Sequence, residues 1–105
     1  MRENQYQAQL VKELRSRFPG CVILKNDPNY LQGIPDLTLL YRTRWAMLEV
    51  KASAASDVQP NQPYYVELLN SMSFAAFIYP EIQEEVLNDL ERAMGRTRRV
   101  PRLRD

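Results

Sequence analysis

Apolar residues recur at helical spacing through the start of the chain, where Tyr6, Leu10, Val11, Leu14 and Phe18 form one stripe. This spacing predicts an amphipathic helix over residues 3–18, stopped by Pro19-Gly20. The period then changes. Residues 21–24 read as a short strand, and Asn26-Asp27-Pro28-Asn29 as a turn cluster. Residues 37–41 and 45–50 are strand-length, apolar and rich in aromatic and branched side chains, which predicts a hairpin turning near Arg42-Thr43-Arg44. After a polar loop of small residues over 52–59, Asn61 is the expected N-cap of a second helix, with Pro63 tolerated in its first turn. Tyr65, Leu68, Leu69 and Met72 are its expected inward face. Residues 74–79 read as a fourth strand. Pro80 opens a last helix striped by Ile82, Val86, Leu90, Ala93 and Met94, with Glu81, Glu84 and Glu85 at its positive end and Gly95 at its exit. The order α-β-β-β-α-β-α, without repeats or linkers, predicts an α/β domain: a mixed four-stranded sheet flanked by helices.

Composition narrows the chemistry. With 105 residues the chain makes a single modest core. No apolar run approaches the roughly 20 residues of a membrane span, and MRENQYQAQL lacks the apolar region of a signal peptide, so a cytoplasmic location is expected. Cys21 is the lone cysteine and histidine is absent. These absences exclude a disulfide within the chain, a cysteine or histidine zinc site, a Ser-His-Asp triad and a histidine base. Catalysis would rest on carboxylates, lysine, hydroxyls or a metal held by oxygen, and hard oxygen ligands favour Mg2+ or Mn2+.

The net charge of +1 conceals an uneven distribution. Residues 1–95, the expected domain, carry nine basic and twelve acidic side chains; residues 96–105 carry five arginines (Arg96, Arg98, Arg99, Arg102 and Arg104) against one aspartate. Such a tail is either a contact for an anionic partner, above all a phosphate backbone, or a solvated terminus.

The segment from Gly33 to Lys51 carries the candidate chemistry. Pro35 biases Ile34 toward extended geometry, so Asp36 stands at the mouth of one strand. Glu49 and Lys51 lie two apart on the next and share a face. Lone Glu-x-Lys triplets are common and an exposed edge strand would accommodate one. Here Trp45, Met47, Leu48 and Val50 argue for a buried strand, where charges need partners. A divalent cation between Asp36 and Glu49 would compensate them, with Lys51 beside it to orient water or meet developing negative charge. For Asp36 and Glu49 to share a face, opposed positions in the hairpin must sum to an odd value, which calls for a two- or four-residue loop or a bulge. Helical spacing turns Glu3 and Gln7 toward the protein. Glu3 is then either a charge satisfied by the helix N-terminus or a third acid at the metal. Gln62, three residues before Tyr65, either helps to cap its helix or faces the same site.

Taken together, these residues resemble the PD-(D/E)xK nuclease superfamily: Pro35-Asp36, then Glu49-Val50-Lys51 thirteen positions on. Within it the chain is similar to the stand-alone virus-type replication-repair nucleases (the VRR-NUC family), in the opening helix with Glu3 and Gln7, in Gly33-Ile34-Pro35-Asp36-Leu37, and in Gln62. The likeness spans residues 3–80. The usual glycine before the last core strand is replaced by Ser73 or missing. The resemblance implies a restriction-endonuclease-like core, with Mg2+ or Mn2+ bound by Asp36, Glu49 and the Val50 backbone carbonyl. It makes Lys51 the catalytic lysine and Glu3 an accessory acid, with Gln62 at the same site. It further implies cleavage of structured or branched DNA such as four-way junctions, dimerisation, and an origin in a virus or mobile element. A second reading, a non-catalytic nucleic-acid-binding or assembly module on the same fold, remains open at this point.

Overall fold

The computed structural model describes residues 1–95, so the arginine tail lies outside the described residues. The chain runs α1 (Glu3–Arg17), β1 (Val22–Lys25), β2 (Leu37–Tyr41), β3 (Arg44–Val50), α2 (Asn61–Met72), β4 (Phe74–Ile78), a 3-10 turn at Pro80–Ile82 and α3 (Gln83–Ala93). The strands lie in the order β1-β2-β3-β4. The first three are antiparallel neighbours, and β4 joins β3 in parallel after the α2 crossover, giving the mixed sheet its alternation implied.

One face of this sheet is the core. Leu37, Leu39 and Tyr41 of β2, Ala46, Leu48 and Val50 of β3, and Ile78 of β4 point to it, where Tyr6, Leu10, Leu14 and Phe18 from the α1 side and Val86, Leu87, Leu90 and Met94 from the α3 side cover them. Phe18 packs edge-on against Tyr41, ring centroids 5.2 Å apart. The opposite face carries Thr38, Met47, Glu49 and Phe77, and it is covered differently. Tyr65, Val66, Leu68 and Leu69 of α2 are only half-buried there, and no α2 residue is fully buried.

The hairpin register meets the parity condition. Tyr41 opposes Arg44 across a two-residue loop, Arg42-Thr43, and Leu37 opposes Leu48. Arg42 takes the positive φ (58°) that tight hairpin loops need at a central position. The next step of the register sets Asp36 against Glu49.

Several local expectations are corrected. Asn61 is the first residue of α2 rather than its cap: Pro60, whose ring holds φ at −56°, already lies in helical geometry. Met72 is 62% exposed, not inward, because the chain turns at Ser73 straight into β4 and leaves the last turn of α2 past the sheet. The last helix begins with a 3-10 turn, and Leu87 joins its buried stripe. Ser73 needs no glycine, since its φ is −150° and its hydroxyl donates to the Trp45 carbonyl.

Candidate functional site

Asp36 is delivered by a turn that the end of β1 pins down. The Asn26 N–H donates to the Asp36 carbonyl (2.8 Å), and the Asn26 side-chain amide donates to the Pro35 carbonyl (2.8 Å) and to Thr38 Oγ1 (2.9 Å). This role of Asn26 was not legible in its turn-forming neighbourhood. Asp36 Oδ2 accepts the Val50 N–H at 2.9 Å, which fixes the carboxylate across the mouth of the hairpin.

Glu49 and Lys51 share the sheet face, as strand alternation requires, and are only 2% and 7% exposed. The Lys51 N–H donates to the Ile78 carbonyl, so the β3–β4 pairing carries past the end of β3 and holds the lysine in register. Its Nζ donates to the Asp57 carbonyl (2.9 Å) and to Gln62 Oε1 (2.8 Å), and stands 3.7 Å from Glu49 Oε2. Gln62 comes from the first turn of α2 and ties the group together. Its Nε2 donates to Glu49 Oε2 (2.9 Å), while its Oε1 accepts from Lys51 and from the Gln59 N–H (2.9 Å). The two sequence alternatives for Gln62, capping its helix or facing the site, are both realised: its Oε1 accepts the Gln59 N–H ahead of α2 while its amide meets Lys51 and Glu49.

One oxygen is left over. Glu49 Oε1 is buried without any hydrogen-bond partner among the described residues. Its carboxyl is pushed well above the ordinary range, to about 8, first by burial and then by the negative charge of Asp36, with Lys51 offsetting part of the rise; when protonated, the carboxyl can share its proton with Asp36. The single charge of Lys51, 3.7 Å from Glu49 Oε2, cannot balance two carboxylates. Each carboxylate has one oxygen anchored by the protein, Asp36 Oδ2 by Val50 and Glu49 Oε2 by Gln62. Two carboxyl groups held together in this way, one of them protonated at neutral pH, could exchange that proton for a hard cation.

Glu3 occupies the rim. It shares the α1 face of Tyr6 and Leu10, but the first turn lies past the covered part of the helix and its side chain is exposed. Partial desolvation raises its pKa, the charge of Asp36 adds to the rise and Lys51 opposes it, so its carboxylate senses the site without entering it. Among the described residues, no three His, Cys, Asp or Glu side chains converge closely enough to cage a metal. Asp36 and Glu49 therefore stand as a pair. Gln7 is half-buried on the same helix face.

No protein-family model, curated protein or solved structure matches this chain. The site therefore has to be interpreted from its own geometry.

Proposed function

We propose that this protein is a metal-dependent endonuclease that hydrolyses phosphodiester bonds in DNA. The observation that carries the reading is the buried Glu49 carboxyl held beside that of Asp36, with the Lys51 ammonium 3.7 Å away. Asp36, Glu49 and the Val50 carbonyl would hold Mg2+ or Mn2+. When bound, such an ion acidifies water and draws charge from a phosphate oxygen. Lys51 holds its ammonium next to the two carboxylates, where it orients the attacking water or meets the charge that grows on the phosphate. Gln62 fixes Lys51 and Glu49 relative to each other through both ends of one amide. Glu3, at the rim, is placed to order solvent rather than to ligate. A module that only binds DNA gains nothing from buried acidic oxygens facing a polyanion, which is why the catalytic reading is preferred to a binding or assembly module.

The partner is DNA, with branched or otherwise structured forms as the first substrates to test. Among the described residues no helix is long and apolar enough to cross a membrane. Homodimerisation belongs to the same reading: β1 is a free sheet edge, and Val22, Leu24 and Leu40 are exposed beside it on one face. Sedimentation of a monomer at micromolar concentration would remove that part.

Purified protein incubated with plasmid and four-way-junction DNA should cut with Mg2+ or Mn2+ and not with EDTA. Complete inertness toward both substrates in both metals would sink the nuclease reading. Removing the residues after Gly95 should weaken DNA affinity and reduce the slope of log affinity against log salt by up to about 4, since as many as five arginine–phosphate contacts vanish. Cleavage of bound DNA should persist, because none of the site residues lies in the tail.

A further inference from the structure

Beside the acidic site is a second cavity, of about 350 Å³, lined by Pro28, Gln32, Gly33, Gln59, Pro60, Asn61 and Gln62. Its walls come from the turn after β1 and from the loop leading into α2. The two meet because residue 33 has no side chain. A Cβ there would lie 2.4 Å from the Asn61 Cβ, and Gly33 also takes a φ of +96°. Gln62 belongs to both places, lining this cavity while its amide holds Glu49 and Lys51.

The chemistry of the lining is specific in what it lacks. It contains no lysine, arginine, aspartate or glutamate. The cavity lies at a helix start, ordinarily a place for anions, but it has no cationic side chain and few of its backbone donors are free. Pro60 and Pro63 have no N–H, the Gln59 N–H is spent on Gln62 Oε1, and the Gln62 N–H on the Gln59 carbonyl. Phosphate is therefore a poor occupant. What the cavity offers is neutral amide edges and apolar proline rings. Gln32, Gln59 and Asn61 are exposed on this lining, and each side-chain amide carries a donor beside an acceptor. That pairing suits the hydrogen-bonding edge of a heterocyclic base, and ring surface suits its face.

We propose that this cavity is a nucleobase subsite, taking one unpaired or extruded base of the DNA strand whose phosphate lies at Asp36 and Glu49. The inference rests on the nuclease reading for the position of the phosphate. A base stacked within a duplex has both faces and its pairing edge occupied, so only an unpaired one can enter. Selection for distorted or branched DNA would then come from this subsite, next to the reacting bond, and not from the arginine tail.

Two measurements separate this proposal from the reading beneath it. In the first, side-chain amide resonances of the full-length protein are followed by NMR while dAMP, or deoxyribose 5-phosphate as its base-free control, is added. The Gln32 and Asn61 amides should shift with dAMP and stay still with the sugar phosphate. Equal shifts with both would mean that the cavity binds only anions, and no shift with dAMP would mean that it takes no base; either result overturns the proposal. In the second, single-turnover cleavage compares a duplex bearing one unpaired nucleotide at the cut position with the same duplex carrying an abasic residue there. The wild type should favour the base-containing substrate by about tenfold to a hundredfold, the range expected for one stacked base. The double variant Gln32→Ala, Asn61→Ala keeps the Cβ that meets Gly33 and should lose most of that preference while cutting the abasic substrate at the wild-type rate. Equal cleavage of both substrates by the wild type overturns the proposal and leaves the nuclease reading intact. Amide shifts with dAMP in a protein that cuts nothing would retain the base subsite and discard the nuclease.

Discussion

Two clusters in this small domain gather carboxylates around a single cation, and they resolve the charge in different ways. At the junction of α1 and α3, the Arg17 guanidinium pairs with Glu13 (2.8 Å) and Glu84 (2.5 Å) and lies 3.5 Å from Glu91. Its planar fork serves several acids at once, and Glu13 and Glu84 remain open to water. At the mouth of the β2–β3 hairpin, Lys51 directs two of its bonds to neutral carbonyl oxygens, and the Glu49 carboxyl is buried against that of Asp36. The first cluster joins two helices over the core. Arg17 Nη1, like Glu49 Oε1, is buried without a hydrogen bond, so the difference lies in hydration. Two of the acids around Arg17 stay open to water, whereas Glu49 is 2% exposed with Asp36 beside it and its carboxyl is pushed up to about 8.

The sharpest way to break the contrast is at the site. Lys51→Ala should lower cleavage by at least about 10²-fold while leaving metal affinity largely intact, and Asp36→Asn should abolish both. Single-turnover cleavage alongside calorimetric Mn2+ titration would separate the two. Wild-type cleavage by Lys51→Ala would mean that the lysine only supports the fold.

Metal should relieve the repulsion between Asp36 and Glu49 and so stabilise the protein. At a free Mg2+ concentration of a hundred times its dissociation constant, the gain expected is about 2.7 kcal/mol, read as a rise in thermal midpoint that Asp36→Asn should lack. The metal-free protein should also respond to pH in a defined direction. Because the folded-state pKa of Glu49 is raised from 4.5 to about 8, the folded chain holds a proton that the unfolded chain releases. Stability contributed by this group is complete below about 4.5, falls as pH rises, and is lost above about 8. Saturating Mg2+ should flatten that decline. A denaturation profile that is flat over this range without metal, and unchanged by it, would show the two acids to be independent.

At the other cluster the expectation is smaller and independent of metal. Arg17→Ala should cost about 1–3 kcal/mol, less than a fully buried pair because Glu13 and Glu84 stay hydrated. Cleavage per folded molecule should be unchanged. A loss of activity equal to that of Asp36→Asn in chemical denaturation-corrected assays would mean that the two clusters are coupled through the sheet.

Much of this arrangement is written locally in the chain. Strand alternation placed Glu49 and Lys51 on one face and helical spacing offered Gln62 either to its own cap or to the site, whereas the hairpin parity was only a condition that the two-residue loop of the folded chain meets. The first two follow from backbone geometry that the neighbouring residues alone determine. The direction of Glu3 around α1 was legible in the same way, but its depth was not, because a helical wheel does not say where the sheet beneath it ends. Met72 failed for the same reason at the far end of α2. Asn26, which holds the Asp36 turn, and the cavity formed where Gly33 meets Asn61 depend on segments distant in sequence, and no local pattern encodes such a meeting. The sequence by itself therefore determined the order of elements and the shared face of Glu49 and Lys51, and it named Asp36 as their candidate partner. Only the tertiary structure decided that Asp36 meets Glu49, which acid stays at the rim and what stands beside the site, since burial and long-range contact are properties of the packed chain.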